Sequence, residues 1–131
     1  MRHLISALFI LAGLIKITPL IGVLGAERLQ ALYQMPFNGL DLLLLMRHRA
    51  VLFGVVGSLL LVAAFRPQLR VLASSVGLVS IASFLLLALP LQEHSAVLQR
   101  VFWADVVAGA SLILALWLSR GALRRGRGDG Q

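Results

Sequence analysis

Two charged residues lie within stretches of sequence that are otherwise apolar. Lys16 interrupts an apolar run over residues 4–25, and Asp105 is the only charged residue of the run 101–119. A charge at the centre of a bilayer costs about 2.5–3.5 kcal/mol on insertion scales, so such residues are rare and usually paired or functional. Lys16 and Asp105 are therefore the first candidates for a polar site, either as an ion pair or as partners of a ligand.

A second group of polar residues, Arg47, His48 and Arg49, immediately precedes the uncharged run 50–65. Arginines in this position are typical of anchors at the membrane interface. Their alternative role is to bind an anionic headgroup, a quinone or a carboxylate.

The sequence contains none of the motifs of soluble enzymes. It has no Gly-rich phosphate loop, HExxH, GxSxG or paired carboxylates. The absence of cysteine excludes disulfides, thiolate metal sites and Fe–S clusters within this chain. We therefore predict no catalytic and no metal-binding residue, and the sequence leaves the cofactor unknown.

The composition assigns these residues to a membrane protein. Of the 131 residues, 60% are hydrophobic and 13% are charged, and the mean hydropathy is +0.95. Soluble domains average about 45–50% apolar and about 25% charged residues. A globule of this length could not bury so much apolar surface in water.

Four segments are long enough to cross a bilayer, which requires about 20 predominantly apolar residues. They cover about 4–25, 41–65, 71–91 and 100–119. The predicted fold is an all-α integral membrane four-helix bundle over residues 1–119, followed by a flexible basic tail, 120–131. A signal peptide is the alternative for the first segment, but Lys16 within its apolar stretch favours a retained helix.

Prolines and polar residues predict the connections between these helices. Pro19 should kink the first helix, and Pro67 should end the second. Apolar residues at helical spacing within 26–35 predict a short amphipathic helix on the membrane surface.

The distribution of arginine predicts the topology. Four crossings leave both termini on one side, which carries Arg2, Arg66, Arg70, Arg120, Arg124, Arg125 and Arg127. The other side carries Arg28, Arg47, Arg49 and Arg100. The positive-inside rule then predicts a multi-pass protein of the bacterial inner membrane with both termini in the cytoplasm. The difference between the sides comes entirely from the tail.

The depths of the two buried charges match. At 1.5 Å per residue, Lys16 lies about 18 Å and Asp105 about 21 Å from the cytoplasmic edge. Arg47, His48 and Arg49 should lie above them, near the outer interface. We expect these five residues to form a ligand-binding site or a structural ion pair. The competing interpretation is that Lys16 extends to the interface by itself.

Three parts of the sequence resemble a known family. Residues 12–19, AGLIKITP, resemble the first helix of the DoxX-like superfamily of small four-helix bacterial membrane proteins. The blocks 22–33, GVLGAERLQALY, and 45–54, LMRHRAVLFG, resemble a narrower proteobacterial group within it. The resemblance spans all four helices and implies links to thiosulfate–quinone oxidoreduction or to maturation of redox enzymes.

Members of the narrower group often carry the automated name phosphopantetheine adenylyltransferase. That soluble α/β enzyme requires an HxGH-type nucleotide site and a parallel sheet, and this sequence supports neither. We instead expect a binding or accessory module with a polar outer-leaflet pocket for a lipid, a quinone or a membrane-protein partner. The alternatives are a subunit of a quinone-linked oxidoreductase and a small-solute transporter. Membrane lipids are expected partners, a homo-oligomer is compatible with the sequence, and nucleic acid is not expected.

Overall fold

The computed structural model describes residues 2–24, 39–90 and 96–128, together with residues 27, 30 and 31. Within this part of the chain 96% of the structure is helical and there is no strand, which confirms the all-α prediction. Helix α1 spans Arg2–Ile17 and is followed by a 3-10 helix, Thr18–Leu24. Helix α2 spans Leu40–Phe65, and a short 3-10 turn, Pro67–Leu69, leads into α3, Arg70–Ala88. Helix α4 spans Ala96–Gly128.

Four of these segments are long and apolar enough to cross a membrane. They are Arg2–Ile21, Leu40–Phe65, Pro67–Ala88 and Ala96–Arg120. The chain therefore has the features of a multi-pass membrane protein.

The first crossing changes its helix type next to Pro19. The α-helix ends at Ile17, and the chain continues as a 3-10 helix instead of the single helix predicted over 4–25. Pro19 has no N–H and cannot donate to the carbonyl four residues earlier, at Ile15. The Thr18 hydroxyl donates to the Leu14 carbonyl at 2.8 Å, which satisfies one backbone acceptor at the change.

The connection between α2 and α3 follows the prediction for Pro67. Arg66 has φ −119° and ψ 95°, the extended conformation favoured before a proline. Its N–H still donates to the Val62 carbonyl at 2.9 Å. The second crossing consequently ends at Phe65, as expected.

The last helix is longer than the predicted crossing, which ended at residue 119. Helix α4 begins at Ala96 and continues to Gly128, so the helix extends into the segment predicted as a basic tail, and residues 129–131 lie outside the described residues. Ala, Leu and Arg in this stretch have high helix propensity and can carry the helix past its apolar part. The surface helix predicted over 26–35 lies outside the described residues, apart from residues 27, 30 and 31.

The helices form a ring in which each packs against two neighbours. Helix α1 packs against α2 and α4, and α3 packs against the same two helices. Gly13 and Gly57 allow the closest approach of α1 and α2. A Cβ added at Gly57 would lie 2.9 Å from the Gly13 carbonyl oxygen and 2.9 Å from the Ile17 nitrogen. Such close backbone contact is typical of small residues between membrane helices.

One end of the bundle, here called the Arg70 end, joins the start of α1, the end of α2 and the start of α3. Arg70 Nε donates to the Ala63 carbonyl at 3.3 Å, and Nη2 donates to the Ala64 carbonyl and to Ser6 Oγ, both at 3.2 Å. Ser6 Oγ donates in turn to the Ala64 carbonyl at 2.7 Å. The guanidinium carbon lies 5.8 Å from the centre of the Phe9 ring. Arg70 thus satisfies the carbonyls at the end of α2.

Candidate functional site

At the opposite end, here called the Lys16 end, a buried ion pair joins α1 to α4. The Lys16 ammonium donates to Asp105 Oδ1 at 2.8 Å, and their side chains are 2% and 6% exposed. The contact forms because α1 and α4 are neighbours and the end of α1 lies beside the first turns of α4. The structure therefore brings together the two charged residues that interrupt the apolar runs.

The hydrogen bonding of this pair is incomplete within the described residues. Asp105 Oδ2 is buried and has no hydrogen-bond partner there. The Lys16 ammonium has three N–H donors, and its nitrogen also lies 4.9 Å from the centre of the Phe53 ring. Buried polar groups normally have partners, so this carboxylate oxygen has acceptor capacity that the described residues leave unused.

A cavity of about 430 Å³ adjoins the ion pair. It lies between the end of α1, the following 3-10 helix and the start of α4, with Phe53 contributed by α2. Its lining residues are Ile15, Lys16, Thr18, Pro19, Ala31, Phe53, Val97, Arg100, Val101, Ala104 and Asp105. This volume is within the range of small-molecule sites, about 300–1,000 Å³, and the lining combines apolar walls with a few polar groups in the same way.

Arg49 and Lys16 both lie close to the aromatic ring of Phe53. The Arg49 guanidinium carbon lies 5.0 Å from the centre of the Phe53 ring and 5.5 Å from that of Phe84, on α3. Phe53 therefore contacts both Lys16 and Arg49. These distances are typical of cation–π interactions, which favour arginine over an aromatic face.

The other two predicted site residues lie apart from the ion pair. Arg47 is partly buried, and its Nε has no hydrogen-bond partner among the described residues. His48 is exposed. Arg47, His48 and Arg49 are not among the residues that line the cavity. The five predicted residues thus do not line one pocket: Lys16 and Asp105 line it, and Arg49 shares the Phe53 ring with Lys16.

Two residues that line the cavity were not predicted as site residues from the sequence: Phe53 and Arg100. Phe53 follows Arg49 by four residues and so lies on the same helical face. Arg100 precedes the cavity residue Ala104 by four residues on α4. Helical spacing from Arg49 was the available signal for Phe53, whereas Arg100 lies five residues before Asp105 and no such spacing pointed to it.

Comparisons of the chain with protein-family models, with curated proteins and with solved structures gave no match. Across residues 2–24, 39–90 and 96–128, no three His, Cys, Asp or Glu side chains are grouped as metal ligands. The geometry of the cavity and the ion pair is therefore the basis for a proposed function.

Proposed function

We propose that the protein is a non-catalytic binding module of a membrane, and that its cavity takes the polar end of an amphiphile from the bilayer. The observation that carries this proposal is the buried Lys16–Asp105 pair on the wall of a largely apolar cavity, with one carboxylate oxygen that no described residue pairs. A purely structural pair would be expected to use its donors and acceptors within the protein.

The chemistry of the lining suits a molecule with a polar end and an apolar remainder. Lys16 can donate to a ligand carbonyl, phosphate or carboxylate, and Asp105 can accept from a ligand hydroxyl. Ile15, Val97 and Val101 give the cavity apolar walls beside this polar pair. A lipid or a quinone has this character, and the resemblance to DoxX-like proteins is compatible with either.

Blocking the cavity tests this proposal. Ala104 lines the cavity, whereas Ala110 is exposed on the same helix. We expect Ala104→Phe to reduce the amphiphile that co-purifies in mild detergent, and the matched control Ala110→Phe to leave it unchanged. Organic extracts of both variants and of the unaltered protein, analysed by mass spectrometry, also distinguish a lipid from a quinone. Identical extracts from all three proteins would contradict the proposal.

We also propose that the chain lies in a bacterial inner membrane with both termini in the cytoplasm. The arginine distribution supports this orientation, and the tail supplies the excess. A fusion of alkaline phosphatase after residue 131 should be inactive, and a fluorescent protein at the same position should fold. An active phosphatase fusion would place the C-terminus outside and overturn the orientation.

A further inference from the structure

We infer that the amphiphile carries a single negative charge and that Arg100 recognises it. This inference rests on the proposed function, since it concerns the molecule that occupies the same cavity. The shared chemistry is one anionic group on a hydrocarbon chain, either the carboxylate of a fatty acid or the phosphate of an anionic phospholipid.

The charges that line the cavity are unbalanced. Among the described residues that line the cavity, Lys16 and Arg100 are cationic and Asp105 is the only carboxylate. Asp105 is paired with Lys16 at 2.8 Å, and no carboxylate of the described residues forms an ion pair with Arg100, so its charge is left unbalanced there. The remaining lining residues are apolar or neutral, so a cationic ligand is repelled and a monoanion balances the site.

The position of Arg100 fits the recognition of a headgroup. It is exposed, whereas Lys16 and Asp105 are buried, so it lies towards the surface while the pair lies at the floor. Arg100 precedes Asp105 by five positions, which is a rise of about 7.5 Å along the helix. An anionic group held between them can accept from the Arg100 guanidinium and from the Lys16 ammonium. A guanidinium binds both carboxylates and phosphates through paired hydrogen bonds.

The test compares ligands that differ in charge but not in chain. Native mass spectrometry of the purified protein in detergent measures its binding of oleate, methyl oleate, oleylamine and oleoyl lysophosphatidylglycerol, which has one oleoyl chain and a phosphodiester with one negative charge. We expect at least one of the two anions to bind about tenfold more tightly than the neutral ester and oleylamine, since one charge-assisted hydrogen bond contributes that factor. Preference for oleate identifies a carboxylate ligand, and preference for oleoyl lysophosphatidylglycerol identifies the phosphate of a phospholipid.

Arginine variants assign the preference to one side chain. Arg100→Gln should remove the preference for anions, and Arg100→Lys should retain most of it. Arg120 lies on the same helix and is exposed, but it is outside the cavity, so Arg120→Gln makes the same change of charge as a matched control. Equal loss in both glutamine variants would indicate general attraction of anions and would overturn the inference.

The experiment separates this inference from the proposed function. Equal affinity for oleate and methyl oleate, with both abolished by Ala104→Phe, would overturn the role of Arg100 but keep the cavity as a binding site. Binding that Ala104→Phe does not reduce would overturn both.

Discussion

The two ends of the bundle each contain a basic side chain that joins helices distant in sequence, but they differ in how that side chain is satisfied. At the Arg70 end, the guanidinium donates to two backbone carbonyls and to Ser6 Oγ. At the Lys16 end, the ammonium donates to one oxygen of Asp105, and the other carboxylate oxygen has no partner among the described residues. A cavity adjoins the ion pair, while Arg70 is not among its lining residues.

This difference distinguishes polar groups with a structural role from polar groups that can still bind a ligand. Arg70 completes the hydrogen bonding of carbonyls that the end of α2 leaves free, which is a requirement of any helix end. The Lys16–Asp105 pair satisfies no helix end, and Asp105 Oδ2 keeps unused acceptor capacity. We expect changes at the Arg70 end to alter stability alone, and changes at the Lys16 end to alter both stability and ligand binding.

The largest effect is expected when one partner of the ion pair is removed. Lys16→Met leaves the Asp105 carboxylate buried without its counter-charge, and breaking a buried pair in this way costs about 3–5 kcal/mol. Unfolding of the purified protein, followed by circular dichroism as SDS is titrated into mild detergent, measures this loss.

The double variant Lys16→Met with Asp105→Leu provides the control. It removes both charges, so most of the stability should return, because apolar residues of similar volume often replace a buried pair without loss. Ligand binding should stay absent in the double variant. A double variant that retains binding would show that the pair is structural and would remove the contrast between the two ends.

At the Arg70 end, Arg70→Met should lower stability without affecting the ligand. The change removes donors to Ala63, Ala64 and Ser6, and hydrogen bonds of a charged group contribute about 1.5–3 kcal/mol. Arg66→Met is the matched control, since Arg66 is exposed in the adjacent turn and makes no side-chain hydrogen bond among the described residues. The same SDS titration reports stability, and extraction reports the ligand. Loss of ligand in Arg70→Met at unchanged stability would contradict the proposed division.

Much of the fold followed from the sequence, because hydropathy over about 20 residues is a local signal. Pro67 ended the second crossing for a local reason as well. The length of α4 was not predictable from hydropathy, since residues 120–128 continue the helix although they are rich in Arg and Gly.

The candidate site was predictable only in part. Their similar depth indicated that Lys16 and Asp105 could lie side by side, and a charged residue in lipid needs a partner. Depth does not specify the direction of a side chain around its helix, so Arg47 and His48 were grouped with the pair although the cavity does not include them. Arg70 was counted only as a topological charge, because the geometry of the Pro67 turn brings its carbonyl acceptors within reach and Ser6 belongs to another helix.

A substitution at Gly57 tests whether a structural change near the Lys16 end also alters the Arg70 end. A Cβ there would meet the backbone nitrogen of Ile17, the residue next to Lys16, at 2.9 Å. Gly57→Ala should therefore displace the end of α1, lower stability by about 1–3 kcal/mol through overpacking, and weaken ligand binding. The control is Gly109→Ala, where the nearest atom is the Ile81 Cγ2 at 3.5 Å, so the added methyl fits and stability should not fall.

The Arg70 end should not respond to Gly57→Ala, because Ser6 and Arg70 lie at the far ends of their helices from Ile17. A cysteine pair reports on this directly: Ser6→Cys with Ala64→Cys places the two thiols where the Ser6 hydroxyl now reaches the backbone carbonyl of Ala64, at 2.7 Å. Its disulfide should form equally fast, under mild oxidation, with glycine or alanine at position 57. Slower formation with alanine would show that α1 moves as a rigid unit, so that the two ends are mechanically coupled even though their polar groups are satisfied differently.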